Sequence, residues 1–280
     1  MQGSAQHTLR EPLALEGVGL HTGAAVRVRV LPQGPDSGLS FHLLGPDIVF
    51  PAHAEFVVDT RRATVLGVGA HRVSTVEHLL SGLFAMGVDN ALIEVDGPEI
   101  PVADGSAHTF AHEIARVGLT AQPVPRVIHR VTAPWWFSSG DAFLAVLPAD
   151  RFRVRFTVDY PQPVGAQYYD GFIEPARYLE DISAARTFGY LREVQALLES
   201  GLARGGSLDN ALVFDDTGPM TPLRWASEVV RHKVLDLIGD FSLLGAWPLC
   251  EVISIKSGHK LHVQAIRALR AGLAQKAAIG

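Results

Sequence analysis

Apolar and polar residues alternate in four segments of the chain, and this alternation predicts β-strands. The segments are Ala25–Leu31, Ala91–Val95, Ala142–Leu147 and Arg153–Val158. A period of two residues places successive side chains on opposite faces of a sheet, so each strand would bury one face. Clear helical patterns are fewer and separate the strands. This mixture indicates an α+β fold.

Helices are predicted at four places along the chain. One begins at Ser74, a good N-cap with Glu77 at the capping-box position, and ends near Gly87. Another extends from about Pro222 to Gly245. The remaining two are a helix capped by Ser106 with Gly118 beyond its end, and an alanine-rich helix from Leu261 to Ala278.

The chain is long enough for two domains, because hydrophobic cores tend to split beyond about 250 residues. Asp89–Ile93 is echoed by Asp209–Val213, with four identical residues, which favours a duplicated unit but also arises by chance. A polar, proline-bearing stretch at 121–125 predicts the boundary. We expect α+β domains over residues 1–123 and 124–280.

Composition excludes a disordered chain, since 48% of residues are hydrophobic and 19% are charged. The net charge of −5 offers no basic surface for nucleic acid, so we expect no nucleic-acid partner. Arg151, Arg153 and Arg155 are a local exception, spaced like one face of a strand. The first residues, Met1–His7, lack a cationic region followed by an apolar run, which predicts a cytoplasmic protein.

Two features limit membrane and metal chemistry. No apolar stretch reaches the roughly 18 residues that span a bilayer, because Asp236 and Asp240 interrupt the longest candidate. The chain has one cysteine, Cys250, which allows neither an internal disulfide nor a thiolate metal cluster. Any metal ion would therefore be held by histidines and carboxylates.

Residues 229–244, read as a helix, have an apolar side and a polar side. The polar side carries His232 and Asp236, which lie one turn apart on one face. With the distant His78 they would give a metal ion two neutral imidazoles and one carboxylate. This set leaves Zn²⁺ an open position for water, as in a hydrolytic site. The alternative is a solvated surface helix with an ordinary i,i+4 pair.

Glu77 precedes His78, and two roles fit it. The carboxylate could cap the helix by accepting a hydrogen bond from the Ser74 backbone. Alternatively, a base adjacent in sequence to a metal ligand can reach a water molecule on the ion while pointing away from the ion itself. The pattern leaves both open.

Three further features have a structural and a functional interpretation. His259 follows Gly258 at a predicted helix start, where its cation could protonate a leaving amine or stabilise an oxyanion, although a lone histidine is more often structural. Thr187 could donate to an oxyanion or stabilise a turn. The stripe of leucines from Tyr190 to Leu202, which includes Leu191 and Leu198, could be core or the passage for an acyl chain.

Gly17–Gly23 has neither the dinucleotide-binding nor the P-loop spacing, so we assign it no phosphate role and expect a hairpin turn.

Five motifs occur in one order along the chain. They are Ser74–Leu80, Glu99–Pro101 with Asp104–Ser106, Ala185–Gly189, His232–Asp236 with Gly239–Asp240, and Ser257–His259. Together they closely resemble the UDP-3-O-acyl-N-acetylglucosamine deacetylases of lipid A synthesis. Gly17–Gly23 is similar to that family's N-terminal signature, so the resemblance spans nearly the whole chain.

The resemblance implies zinc-dependent hydrolysis of the acetamide of UDP-3-O-(3-hydroxyacyl)-N-acetylglucosamine, which releases acetate and the free 2-amine in the committed step of lipid A biosynthesis. It also implies two similar domains, each a β-sheet packed on helices, that form a β-α-α-β sandwich with the site at the domain interface. The partner is then the acylated UDP-sugar. We expect a monomer that meets a membrane only transiently, for its lipid product.

The resemblance also assigns roles to residues. His78, His232 and Asp236 match the Zn²⁺ ligands, Glu77 matches the general base, and His259 matches the electrostatic or acid partner. By the same resemblance, Thr187 assists the oxyanion and Asp240 orients the histidine machinery. The residues that meet the nucleotide or sugar are Lys233, Phe188 and Tyr160. An insert over residues 189–208, with Leu191 and Leu198, forms the acyl passage.

The chain departs from the family pattern at two places. Lys260–His262 follow His259 where a small residue and asparagines are more familiar, and Arg61-Arg62 replace apolar residues near the acyl entrance. These changes affect acyl-length preference and the pocket rim rather than the metal chemistry. Two alternative functions stay open: a zinc amidase for another acylated amine, and a non-catalytic metal- or lipid-binding protein, which would need a fourth protein ligand.

Overall fold

The computed structural model describes residues 4–277, with side chains described for residues 4–272. The strands are β1 (Ala5–Leu9), β2 (Leu13–Val18), β3 (Ala25–Pro32), β4 (Leu39–Leu43), β5 (Ile48–Pro51), β6 (Val57–Asp59), β7 (Val65–Val68), β8 (His71–Val73), β9 (Ala91–Asp96), β10 (Leu119–Pro125), β11 (Ile128–Arg130), β12 (Trp135–Ser139), β13 (Ala142–Pro148), β14 (Arg153–Asp159), β15 (Ala166–Phe172), β16 (Phe188–Tyr190), β17 (Leu212–Phe214) and β18 (Trp247–Ile255). The helices are α1 (Glu77–Met86), α2 (His108–Val117), α3 (Pro175–Asp181), α4 (Leu191–Glu199), α5 (Glu228–Ser242) and α6 (His259–Ala277), with a 3₁₀ turn at Ala54–Phe56.

All four alternating segments form strands, as predicted, and burial alternates in β3, β9 and β14, whereas in β13 the three consecutive residues Leu144–Val146 are buried. In β3 and β14, for example, every second residue is buried. The arginines of β14 lie on its other face, where Arg153 pairs with Asp170 and Arg155 with Glu251. Arg151 pairs with Glu174. The local cluster of arginines is therefore neutralised by carboxylates.

Two sheets repeat one topology. The order in the first is β2-β3-β9-β4-β5 and in the second β12-β13-β18-β14-β15, with β11 added beside β18. In each sheet the strand that is last in sequence inserts at the centre, antiparallel to one neighbour and parallel to the other. We call the first sheet with α1 and α2 the N-terminal unit, and the second with α5 and α6 the C-terminal unit.

The sequence echo does not mark equivalent strands of the two units. Asp89-Asn90 precede β9, at the centre of the first sheet, whereas Asp209-Asn210 precede β17, which forms a separate two-stranded sheet with β16. The topological equivalent of β9 is β18. The interpretation of the echo as a repeated unit was therefore wrong in its position, although the units do share a topology.

Helices lie between the two sheets and form the core. Every residue of α1 is buried, and α1 packs directly against α5. Helices α5 and α6 contact strands of the second sheet, and α2 contacts α1 and β2. The result is the predicted β-α-α-β sandwich of an α+β protein, with the seam between its units running along α1 and α5.

The helix ends are partly as predicted. Gly87 ends α1 in the left-handed conformation (φ 92°), and Gly118 follows α2. The capping box at Ser74 does not form, because α1 begins only at Glu77 and has no side-chain cap. The predicted cap at Ser106 is wrong by one residue, because the N-cap of α2 is Ala107, which has no side-chain cap. Ser106 still accepts a hydrogen bond from the His108 backbone at 3.1 Å.

Three further observations bear on the predicted boundaries. Helix α5 is shorter at both ends than the predicted span, and α6 extends to Ala277, so the last predicted helical residue, Ala278, lies outside the described residues. Residue 123 falls within β10, which pairs with β1, and the division at 123 stays a prediction. Among the described residues, no helix combines the length and apolarity needed to cross a bilayer.

Candidate active site

The site lies where α1 crosses α5. The first two residues of α1 are Glu77 and His78, and successive turns of α5 carry His232 and Asp236. Helix α6 begins with His259, which reaches the same point. The helices approach so closely that a Cβ on Gly239 would lie 2.1 Å from the Glu77 carbonyl oxygen. Glycine at this position of α5 lets ligands from both units meet.

The three candidate metal ligands converge. His78, His232 and Asp236 each offer an atom, and these atoms all lie within 4.8 Å of one another. Asp236 Oδ1 is 3.4 Å from His232 Nε2 and 3.7 Å from His78 Nε2. All three side chains are buried. The polar side of α5 is thus covered by α1, and its interpretation as a solvated surface is wrong.

The hydrogen bonds of this set leave a place for a cation. Asp236 Oδ1 is buried and has no hydrogen-bond partner among the described residues. His232 Nδ1 lies 3.0 Å from the Ala185 carbonyl, to which it can only donate, so in the neutral ring Nε2 keeps a lone pair facing Asp236. Lone pairs that converge in a buried place without a donor fit a metal ion.

The charges around this set favour ligand forms. Burial lowers the pKa of His232 to about 4, which keeps the imidazole neutral. Burial works to raise the pKa of Asp236, but His232 and Lys233 outweigh it and hold that pKa well below its usual range. The Lys233 ammonium is 2.5 Å from Asp236 Oδ2. Lys233 therefore occupies one carboxylate oxygen and leaves the other towards the imidazoles.

Glu77 points into the site rather than back along the chain. Its Oε2 accepts a hydrogen bond from the Thr64 backbone N–H at 3.1 Å, and its Oε1 lies 3.8 Å from His259 Nε2. Ser74 instead approaches the Pro98 carbonyl. The capping interpretation of Glu77 is thus wrong. Burial raises the pKa of Glu77, against the opposing influence of His259 and His78.

His259 is held by Asp240. The distance from His259 Nδ1 to Asp240 Oδ2 is 2.8 Å, and Asp240 is completely buried behind the imidazole. Burial works against the protonated ring, but Asp240, Glu77 and Asp236 outweigh it and raise the pKa of His259 to about 9. His259 is therefore a buried cation at neutral pH, facing the carboxylates of the site.

Thr187 lies on a loop that is fixed at both ends. Its backbone N–H donates to the Gly105 carbonyl at 2.7 Å. The neighbouring Arg186 is buried and pairs with Glu228, the first residue of α5. Because Ala185 in this loop accepts the hydrogen bond from His232, the loop couples Thr187 to the candidate metal ligands.

One cavity of about 600 Å³ joins these groups to an apolar passage. Lys233, Tyr160 and Phe188 line it near the candidate ligands, and the Phe188 ring makes T-shaped contacts with the rings of Tyr160 and His232. The rest of the wall is mostly aliphatic and comes from the predicted insert and its surroundings, including Leu20, Leu191, Val194, Leu197, Leu208, Val213 and Met220.

The leucine stripe of α4 is not core, since no residue of α4 is buried. Leu191 lines the cavity, as its position in the predicted passage requires. Leu198 does not line it and is 45% exposed. It follows Leu197 by one residue, which is about 100° around the helix, so the two face different ways.

The glycine-rich turn at Gly17–Gly23 holds the insert. Backbone N–H groups of Arg204 and Gly205 donate to the carbonyls of His21 and Leu20 at 3.2 and 3.0 Å. A Cβ on Gly205 would lie 2.2 Å from the Gly19 carbonyl oxygen. Glycine thus lets two loops form one wall of the passage.

Sequence reasoning missed four buried residues that support the site. Thr64 bonds both Glu77 and Asp240, and Glu99 accepts hydrogen bonds from the His21 and Thr22 backbone and the Thr75 hydroxyl. The others are Glu228 and His262, and the Nδ1 of His262 lies 2.7 Å from Asp240 Oδ2. The spacing of His259 and His262, three residues apart at a helix start, was the available signal.

A buried set of histidines and a carboxylate, with a second carboxylate beside it and an apolar passage leading away, defines the class of metal-dependent hydrolases that act on lipid-bearing substrates. The family model described as UDP-3-O-acyl N-acetylglycosamine deacetylase matches residues 6–271. The chain belongs to this family of metalloenzymes, as the motifs predicted.

Proteins named UDP-3-O-acyl-N-acetylglucosamine deacetylase are similar along almost their full length. The one from Nostoc sp. is 46% identical over 268 residues, which cover 92% of this chain and 96% of that protein. The Myxococcus xanthus protein is 42% identical over 267 residues, covering 94% and 85%. The Phenylobacterium zucineum protein is 42% identical over 273 residues, covering 95% and 93%.

Proposed function

We propose that the chain hydrolyses the acetamide of UDP-3-O-(3-hydroxyacyl)-N-acetylglucosamine, releasing acetate and the free 2-amine in the committed step of lipid A biosynthesis. Its family membership over residues 6–271 supports this reaction. The observation that carries the proposal is the junction of the buried His78, His232 and Asp236 set with an apolar passage in one cavity of about 600 Å³. A substrate with a sugar head and an acyl tail fits a cavity that is polar at one end and apolar along the rest.

His78, His232 and Asp236 would hold the cofactor, for which we propose Zn²⁺. Two imidazoles and one carboxylate are a donor set that zinc hydrolases use. When bound, the ion polarises the acetamide oxygen and makes water acidic enough to be deprotonated near neutral pH. The buried Asp236 Oδ1, which has no hydrogen-bond partner in the part of the chain that the structure describes, supports the fit.

Glu77 would act as the general base. The Thr64 N–H fixes one carboxylate oxygen, and the other faces the site, where it can take a proton from water. The raised pKa of Glu77 makes it a stronger proton acceptor than an exposed glutamate. Because Glu77 adjoins His78 at the start of α1, it would lie beside the ion and act on water rather than as one of the three proposed ligands.

His259 and Thr187 would stabilise the oxyanion formed when water attacks the acetamide carbon. With a pKa of about 9, His259 carries a proton at neutral pH, and Asp240 orients the ring through Nδ1 so that Nε2 faces the cavity. Thr187 lines the same cavity. A charged donor in a buried site acts strongly on a developing negative charge.

Lys233, Phe188 and Tyr160 would bind the sugar or nucleotide, since they line the cavity near the candidate ligands. The insert over residues 189–208 would enclose the acyl chain, with Leu191 in its wall. We also propose a monomeric, cytoplasmic protein with domains over 1–123 and 124–280 that meets a membrane only transiently.

An acetate-release assay tests the function. The acylated UDP-sugar should be deacetylated, and the same sugar without its acyl chain should react far more slowly, because it cannot use the apolar passage. A chelator should abolish turnover and Zn²⁺ should restore it. Equal rates with both sugars would reject the lipid substrate, and activity that survives chelation would reject the metal.

A further inference from the structure

His262 is a completely buried, titratable residue that the proposed reaction does not use. Its ring lies one helical turn beyond His259 in α6, and both imidazoles approach the same oxygen of Asp240. The distances to Asp240 Oδ2 are 2.7 Å from His262 Nδ1 and 2.8 Å from His259 Nδ1. The His262 ring lies perpendicular to that of Phe156, with 6.3 Å between the ring centroids. His262 therefore has no access to substrate and acts, if at all, through Asp240.

The partners of His262 define its protonation state. A carboxylate only accepts, so Nδ1 must donate to Asp240. Nε2 lies 2.7 Å from Ser257 Oγ, and Ser257 Oγ lies 2.5 Å from Ser254 Oγ. A neutral ring that accepts from Ser257, with Ser254 donating to Ser257, satisfies every group in this chain. Burial, the largest influence, lowers the pKa of His262 and agrees with the neutral form.

Asp240 depends on the donor from His262, because this donor is one of three that fix the position of the carboxylate. Thr64 Oγ1 donates to Oδ1 at 2.6 Å, and the two imidazoles share Oδ2. Without the His262 donor, Oδ2 would keep only His259 among these partners, and the carboxylate could turn about the Thr64 bond. A buried carboxylate that loses a donor is also less well solvated.

We propose that His262 is a positioning residue of the deacetylation, whose Nδ1–H holds Asp240 in the orientation that directs His259 into the cavity. This inference rests on the proposed function. It assigns the effect on catalysis to Nδ1, which faces Asp240, and assigns no effect to Nε2, which faces Ser257.

Two substitutions of similar size separate the nitrogens. The amide nitrogen of asparagine replaces imidazole Nδ1, and that of the longer glutamine replaces Nε2. We expect His262→Gln to lower kcat by about 10- to 100-fold, the usual effect of losing an outer hydrogen-bonding partner. KM and bound metal should be unchanged. His262→Asn should restore kcat to within about threefold of the wild type, since it keeps the donor to Asp240.

Ser257→Ala is the matched control, because it removes the partner of Nε2 and leaves the Asp240 bond intact. Its kcat should stay close to that of the wild type. Thermal unfolding establishes that each variant folds. If His262→Gln does not fold, Ser257→Ala still tests the proposal, because a loss of kcat in that variant overturns it. The distance from His259 Nδ1 to Asp240 Oδ2 is 2.8 Å in the wild type. Crystal structures should show that His262→Asn preserves this distance and that His262→Gln lengthens it.

Equal kcat in the Asn and Gln variants would overturn the positioning role, whether both match the wild type or both lose activity. The proposed function fails differently. In that case the wild-type enzyme itself would release no acetate from the acylated UDP-sugar.

Discussion

At the scale of single residues, the base of the proposed reaction depends on what surrounds one carboxyl group. Glu77 is only 3% exposed, and the Thr64 N–H holds one of its oxygens. Burial raises its pKa, while the nearby His259 cation opposes that rise. The carboxyl thus keeps enough basicity to take a proton from water and enough polar contact to stay ordered.

We expect Glu77→Ala to keep its metal and lose at least about 100-fold in kcat, because the ligands stay and the base is lost. Metal content by atomic absorption and acetate release measure the two effects. Glu16→Ala, which removes a carboxylate from an exposed ion pair, is the control and should match the wild type. Full activity of Glu77→Ala would exclude the base, and loss of metal would make Glu77 a ligand.

The sequence predicted which residues meet, and of the residues that support them it predicted Asp240 but not Thr64. His232 and Asp236 share a helix face because of their spacing, and no tertiary information is needed to see it. Thr64 donates to Asp240 across 176 positions of sequence, and local patterns contain no signal for such a contact. Glu77 fitted a capping box equally well, and only tertiary structure decides against that interpretation, because α1 begins at Glu77 itself and the carboxylate accepts its hydrogen bond from Thr64.

At the scale of elements, the crossing of α1 and α5 determines whether the ligands meet. A Cβ added to Gly239 would lie 2.1 Å from the Glu77 carbonyl oxygen and 2.8 Å from its carbonyl carbon. These are backbone atoms of a buried helix, and they cannot move aside as the tip of a flexible side chain would. The separation of the two helices is therefore set by the absence of a side chain.

Gly239→Ala should push α5 from α1 and destabilise the fold by about 3 kcal/mol, at the upper end of overpacking costs. Urea unfolding measures the loss, and metal affinity should fall with it because His78 moves away from Asp236. Gly45→Ala is the matched control, since a Cβ there meets nothing within 4 Å. Wild-type stability of Gly239→Ala would show that the helices separate freely.

The loop that carries Thr187 depends on an ion pair at the start of α5. Glu228 is completely buried and accepts hydrogen bonds from the Arg186 side chain and from the backbone N–H groups of Arg186 and Arg224. Burial raises its pKa, but these bonds outweigh burial and lower it below the usual 4.5. The ionised form therefore stabilises the fold.

Because the pKa of Glu228 is lowered on folding, its contribution is present above about 4.5 and is lost as the pH falls through the lower folded-state value. We expect Glu228→Gln to cost about 3 kcal/mol at neutral pH, since Arg186 is left as an unpaired buried charge. The difference in unfolding free energy between this variant and the wild type should become smaller at acidic pH. Urea unfolding over a pH series measures it, and a gap that does not vary with pH would contradict the pair's role.

At the scale of the whole molecule, two units of one topology place their helices against each other, and the site lies at the seam. His78 belongs to the N-terminal unit, and His232 and Asp236 belong to the C-terminal unit. Alternation predicted two strands of each main sheet, β3 and β9 in the first and β13 and β14 in the second, but not the central strand β18. The strand order did not follow from it, because β9 and β18 are inserted from the end of each sheet's sequence. Pairing of that kind depends on distant segments.

A metal ion held by both units should stabilise the whole fold. Binding to the folded state alone adds about 2.7 kcal/mol when free metal is a hundred times its Kd. We therefore expect a chelator to lower the melting temperature of the wild type and Zn²⁺ to restore it. His78→Ala should be insensitive to both, because the N-terminal unit then contributes no ligand, whereas the exposed His71→Ala should respond like the wild type. If a chelator lowered the melting temperature of His78→Ala, the ion would be held by the C-terminal unit alone. The packing of α1 against α5, rather than the metal ion, would then stabilise the seam.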